Sequence, residues 1–270
     1  MSRLYAEVIG DPIAHSKSPL IHNFWLAKLG IDAEYRTAHV KSEDLGSYIE
    51  NRSADPFWRG CNVTAPHKIA VIDHVTDPGN IRDGIGAMNT IARGDGGALF
   101  GTNTDAGGFY MPIAEVPIEG QPVVVIGSGG AARAVLFALS RCGVGDVTVI
   151  ARNGLAAAGL LARFGLKGQV KPMGARIPPA RLLVNTTTLG MKGQPALDVD
   201  LSPFDEDAVV YDLIYAPLVT PLMAEAEARG LFAIGGLDML IGQARIGFEL
   251  FFGKTPPDDS DDELRSLLVK

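Results

Sequence analysis

The residues best equipped for chemistry fall in short polar clusters between apolar runs. Lys68 closes the segment NVTAPHK (residues 62–68), and Asp105 stands in GTNTDAGG (residues 101–108). An ammonium and a carboxylate are suited to moving a proton to or from a substrate oxygen. Thr64 can cap a helix started by Pro66, which predicts a helix over residues 66–74 with Lys68 in its first turn. A cation there faces the positive end of the helix dipole, so folding gains nothing from a lysine at that place. His67 reads as a packing residue, and Asp105 taken alone reads as the cap of the next helix.

The segment HSKSP (residues 15–19) places Ser18 as a helix cap with Ser16 just before it, two hydroxyls suited to holding a carboxylate. Asn89 in GAMNT (residues 86–90) and Asn103 in GTNTDAGG offer donor and acceptor together, as a polyhydroxylated ligand requires. A further cluster is made by NTTTLGM (residues 185–191), Tyr215 within DLIYAP (residues 212–217) and Gln243. Two of these segments follow predicted strands, and the ends of parallel strands are where α/β sheets place ligands.

The run QPVVVI (residues 121–126) enters GSGGAA (residues 127–132) and then a helical stretch, a strand–glycine turn–helix pattern that cradles a dinucleotide pyrophosphate. Gly127, Ser128, Gly129, Gly130 and Ala131 would line it, and Ala132 is small enough for close helix–strand packing. The second strand of the unit ends in Arg152 and Asn153, with no acid to accept from a ribose 2′-hydroxyl. An arginine there pairs with a 2′-phosphate, so NADP is expected in preference to NAD. Thr186 and Gly235 complete the expected cofactor contacts.

The elements that must position these residues alternate strand and helix throughout. A hairpin is expected where GDGG (residues 94–97) parts two strands, giving the N-terminal part a mixed sheet. Six continuous apolar strands between residues 121 and 234 predict a parallel sheet covered on both faces. The expected fold is therefore α/β with two domains: residues 1–105 plus 237–270 for substrate, and residues 106–236 for the dinucleotide. Paired glycines mark both crossovers, at residues 107–108 and 235–236. A net charge of −7 over 270 residues speaks against nucleic acid as partner, and no apolar run is long enough for a membrane helix. With no signal-peptide pattern, the cytoplasm is the expected compartment. The two cysteines, Cys61 and Cys142, read as free core residues, so no metal is expected. The acidic run at residues 258–263 reads as a solvated helix start, balanced by Lys270 at the other end.

Taken in order, HSKSP, NVTAPHK, GAMNT, GTNTDAGG, GSGGAARA, NTTTLGM, DLIYAPLVTPL and GLDMLIGQA resemble the shikimate dehydrogenase family over essentially the whole chain. The resemblance implies two α/β domains with a cleft between them, the C-terminal one a Rossmann fold. It implies reversible reduction of 3-dehydroshikimate to shikimate with NADP, a step of chorismate and aromatic amino acid biosynthesis, by a monomer or homodimer. It makes Lys68 and Asp105 the catalytic pair and gives the substrate carboxylate to Ser16 and Ser18. Thr64, Asn89 and Gln243 would meet substrate hydroxyls, and Tyr215 would border the carboxylate. Two departures stand out: His67 replaces a frequent phenylalanine, and Arg152 lacks the second arginine that often follows. An NAD-preferring quinate/shikimate dehydrogenase and a catalytically silent binding module are the alternatives.

Overall fold

A computed structural model describes residues 3–269. The chain forms two compact units, one built from residues up to Thr104 and from Gln243 onward, the other from Asp105–Gly242. The first changeover lies one residue from the expected position. The second lies inside a long helix, six residues beyond the glycine pair.

In the first unit, β1 (Leu4–Gly10), α1 (Ser18–Lys28), β2 (Ala33–His39), α2 (Leu45–Ser53) and β3 (Trp58–Val63) follow in alternation. Then come the short α3 (Ile81–Gly84), β4 (Thr90–Arg93) and β5 (Leu99–Thr102). The sheet order is β2-β1-β3-β4-β5, parallel across β2, β1 and β3 and antiparallel across β3, β4 and β5. The expected hairpin joins β4 to β5, and the sheet is mixed as its pattern implied. Trp58, Val71, Ile72, Met88 and Ile91 fill one core, while Val8, Tyr35 and Phe251 belong to another. Each such side chain contributes roughly 1.5–3 kcal/mol on burial. Central β1 also buries Glu7, which accepts from Arg52, Tyr48 and Arg36. Burial alone would raise its carboxyl, yet these donors hold it below the usual carboxylate range.

Two local expectations are corrected here. Residues 65–69 form turns, and only Ala70–His74 continues as a short 3-10 helix. The reason is distant: the Lys68 carbonyl, which an α-helix would give to residue 72, instead accepts from the Met88 amide at 2.7 Å. Thr64 therefore caps no helix, although its carbonyl accepts from His67 N at 3.0 Å. Ser18 is not the cap of α1 but its first residue, with Lys17 in the cap position. The Ser18 amide donates to Ser16 Oγ at 3.3 Å, so the capping service falls to the earlier serine.

The second unit runs α4 (Asp105–Tyr110), β6 (Val123–Ile126), α5 (Gly130–Arg141), β7 (Val147–Ile150), α6 (Gly154–Arg163) and β8 (Gly168–Lys171). It continues through β9 (Leu182–Asn185), β10 (Val209–Asp212), α7 (Pro221–Ala228) and β11 (Phe232–Gly235) into α8 (Gly236–Phe252). All six strands are parallel in the order β11-β10-β9-β6-β7-β8. β6, β7, β9 and β10 are buried at every position, which is why their sequences lack alternation. The order reverses between β6 and β9, the switch point at which doubly wound sheets bind ligands. Asp105 opens α4 as its first helical residue, where it had been expected as the cap. Gly236 lets two backbones meet, since a Cβ there would come 2.2 Å from the Leu213 carbonyl oxygen.

The last helix, α9 (Asp261–Leu268), is not a solvated start. Arg245, only 13% exposed along its side chain, pairs with Asp258 at 2.9 Å and with Asp261, while Lys28 reaches Glu263 at 2.6 Å. Lys270 lies outside the described residues. Cys61 is buried as expected, whereas Cys142 is only half-buried at the end of α5. Among the described residues no helix is long and apolar enough to cross a membrane, and no group of His, Cys, Asp or Glu is arranged to hold a metal ion.

Candidate active site

Gly127 leaves β6 with φ +114°, and a Cβ there would come 2.3 Å from Thr186 Oγ1. Only glycine allows both this backbone and this contact. Thr186 holds the other side of the junction, its amide and its hydroxyl both donating to the Ile126 carbonyl, at 2.8 and 2.7 Å. The turn after β6 and the loop after β9 are thus stitched together over one glycine. α5 begins at Gly130 with Gly129 in the cap position and no side-chain cap. A twelve-residue helix so opened directs backbone amides and partial positive charge toward an anion. Ala132 is fully buried against the sheet, which fits the close packing expected of it.

Beside this turn lies a cavity of about 530 Å³ whose lining includes Gly127, Ser128, Gly129, Arg152, Asn153 and Thr186. Three other expected cofactor residues lie outside that lining: Gly130 and Ala131 begin α5, and Gly235 ends β11. Arg152 is exposed just beyond β7. Asn153 caps α6, its side chain accepting from Ala156 N at 3.0 Å, so it serves the fold as well. Glycine turn, uncapped helix start and an arginine where an acid would repel phosphate form a donor set that fits a 2′-phosphorylated dinucleotide.

Asp212, at the end of β10, braces the neighbouring loops. It accepts from Asn185 Nδ2 at 2.9 Å, from Ile214 N at 3.1 Å and from Thr220 Oγ1 at 2.6 Å. Burial nevertheless outweighs these bonds and pushes its carboxyl up. Tyr215 follows in the same loop, 37% exposed, with partial burial raising its phenol.

The remaining candidates belong to the first unit, along one edge of its sheet. Ser16 and Ser18 follow the C-terminal end of β1, and Thr64 and Lys68 follow that of β3. Asn89 precedes antiparallel β4, and Thr104 follows β5, so both come to the same edge. Main-chain bonds tie these segments together: Val63 N to Asn89 O at 2.7 Å, Met88 N to Lys68 O at 2.7 Å and Thr64 N to Ile9 O at 2.9 Å. His67 is buried, with Nε2 2.7 Å from the Val40 carbonyl, a packing residue as expected. Asn103 donates to the Ala87 carbonyl at 2.9 Å and so closes the turn beside the site.

Sequence reasoning passed over Thr104. Its amide donates to Asn89 Oδ1 at 2.7 Å, and its hydroxyl lies 3.4 Å from Gln243 Oε1. This buried threonine joins two candidate residues that are 154 positions apart in the chain. Its position in NTD was the available signal, masked by the charged neighbour Asp105. Asp105 itself lies one peptide bond further on and is 8% exposed.

A doubly wound nucleotide-binding unit, and a second α/β unit with a polar edge built for hydroxyls, define the class of two-unit dinucleotide-dependent oxidoreductases. Residues 8–91 match the shikimate dehydrogenase substrate binding domain, and residues 236–260 match the shikimate 5′-dehydrogenase C-terminal domain. The chain is 64% identical to the shikimate dehydrogenase (NADP(+)) of Sphingopyxis alaskensis, over 98% of this chain and 97% of that one. The structure resembles the shikimate 5-dehydrogenase of Thermus thermophilus in complex with NADP(H) and shikimate, with TM-score 0.86, 36% identity, and 98% and 99% of the two chains covered. It also resembles ligand-free 5-ketofructose reductase of Gluconobacter, with TM-score 0.90, 28% identity, and 98% and 99% covered. The chain belongs to the shikimate dehydrogenase family.

Proposed function

We propose that this chain is an NADP-dependent shikimate dehydrogenase in which Lys68 and Asp105 perform the acid–base work. The observation that carries the reading is the convergence of Ser16, Ser18, Thr64, Lys68, Asn89 and Thr104 on one sheet edge, in segments bonded to one another through their main chains. The likeness to the enzyme from Sphingopyxis alaskensis supports both the substrate and the nucleotide. The two serine hydroxyls bind the substrate carboxylate, with Tyr215 bordering it. Thr64, Asn89 and Gln243 bind ring hydroxyls.

When bound, the nicotinamide supplies hydride to the carbonyl carbon. Lys68 gives a proton to the carbonyl oxygen during reduction and takes it back during oxidation. Asp105 accepts from a substrate hydroxyl and fixes the ring's orientation. Arg152 pairs with the 2′-phosphate, and the amides at the start of α5 bind the pyrophosphate.

The likeness to a 5-ketofructose reductase at 28% identity keeps other polyhydroxy ketones in the test, because one fold can carry several substrates. Initial rates would be measured with shikimate and quinate, each with NADP and NAD, and with 5-ketofructose and NADPH. The reading expects shikimate with NADP to give the highest kcat/KM. Preference for NAD, for quinate or for 5-ketofructose would overturn the corresponding part of it.

A further inference from the structure

The Asn89–Thr104–Gln243 cluster is the outer end of a longer series of side-chain hydrogen bonds that begins in the aromatic core. Tyr35 Oη donates to Asn62 Oδ1 at 2.6 Å, Asn62 Nδ2 to Thr90 Oγ1 at 2.9 Å, and Thr90 Oγ1 to Asn89 Oδ1 at 3.1 Å. Asn89 Nδ2 then donates to Thr104 Oγ1 at 2.9 Å, and Thr104 Oγ1 to Gln243 Oε1 at 3.4 Å. All six residues are buried. Each hydroxyl has one proton to give, so the bonds run in a single direction, from the core outward.

Direction matters because a side-chain amide has two flips of nearly equal shape, in which donor and acceptor change places. Whichever end receives the incoming bond settles the flip. Tyr35 begins the series as a pure donor: burial holds its phenol far above the usual range, so it keeps its proton. Its ring is also fixed, stacked on His22 with centroids 4.0 Å apart and planes within 4°. Without that hydroxyl, Asn62 could turn its oxygen toward Thr90. The Thr90 proton would then follow that oxygen and abandon Asn89.

We propose that Tyr35 is a positioning residue for substrate binding, its hydroxyl setting, through Asn62 and Thr90, the flip in which Asn89 and then Gln243 meet the substrate. The inference rests on the reading of those two amides as substrate contacts. Tyr35→Phe keeps the ring and removes only the donor. It should raise KM for shikimate about tenfold, the scale of one lost hydrogen bond. The effect on kcat should be much smaller, and KM for NADP should stay within experimental error. Thr90→Val should do the same, while Thr90→Ser, which restores the hydroxyl, should return KM close to that of the parent.

Combining Tyr35→Phe with Asn89→Ala separates positioning from general loosening. If Tyr35 acts through Asn89, the double variant has no higher KM than Asn89→Ala alone; an additive rise overturns the inference. Should Asn89→Ala fail to fold, Gln243→Ala serves in the same cycle. A raised KM in Asn89→Ala together with a parental KM in Tyr35→Phe refutes the role of Tyr35 alone. A parental KM in Asn89→Ala refutes the site reading, and the inference with it.

Discussion

Lys68 has the most specific task in the proposed reaction, and its removal isolates that task. Lys68→Ala should lower kcat by ~10²–10⁴ with a smaller change in KM, the mark of a lost general acid. Steady-state rates with shikimate and NADP check this, and an unchanged kcat excludes the role. Ser16→Ala should mainly raise KM for the acid substrate. His22 makes a different prediction. Its ring is fully buried among Trp25, Tyr35, Phe248 and Phe251, and both nitrogens lack a hydrogen-bond partner. Burial lowers its pKa from 6.5 to about 3. The unfolded chain therefore binds a proton below pH 6.5 that the folded chain refuses until about pH 3, so stability is full above pH 6.5 and falls with pH across that window. His22→Phe should remove about 3 kcal/mol of the loss between pH 6.5 and pH 4.5. Glu7 also loses stability in acid but is common to both proteins, so the difference between their urea midpoints reports His22. Equal pH dependence in the two would refute the argument.

Among the elements, the loops after β6, β9 and β10 behave as one assembly, pinned by Gly127, Thr186 and Asp212. Gly127→Ala would force Thr186 away from the turn and should raise KM for NADP with little effect on KM for shikimate. Asp212→Ala strands Asn185 and Thr220 together and should cost roughly 2–4 kcal/mol of stability, read by chemical denaturation. At this scale the sequence was legible wherever the signal is local. The glycine turn, the six apolar strands, the β4–β5 hairpin and the Thr220 cap, whose side chain accepts from Met223 N, all follow from neighbouring residues. Where a partner arrives from far along the chain, local reading fails. Met88 takes the Lys68 carbonyl and prevents the helix expected over residues 66–74. Arg245 gathers Asp258 and Asp261 and turns a supposed solvated run into an anchor. Thr90 and Thr104 were hidden for the same reason, since their partners lie on other strands or on α8.

For the molecule as a whole, a net charge of −7 sets a condition on ligand binding. Both proposed ligands are anions, so attraction must come from local donors and not from the overall field. NADP at about a hundred times its Kd should stabilise the folded chain by about 2.7 kcal/mol, a rise of a few degrees in melting temperature. Arg152→Ala should shrink that rise for NADP and leave the smaller one for NAD unchanged. A loss of both to the same extent would remove Arg152 from the 2′-phosphate.

The bond from the Met88 amide to the Lys68 carbonyl has one more effect, on how the protein can change. It closes the intervening nineteen residues at their root, so lysine and asparagine keep their spacing whatever the far end of that excursion does. Val71 and Ile72 are sunk in the core and fix the near half. The far half, around residues 77–80, is exposed or half-exposed, and extra residues grafted there would be absorbed without disturbing turnover. Natural drift in length, or an engineered tag, has a tolerant place to settle within a few positions of the chemistry.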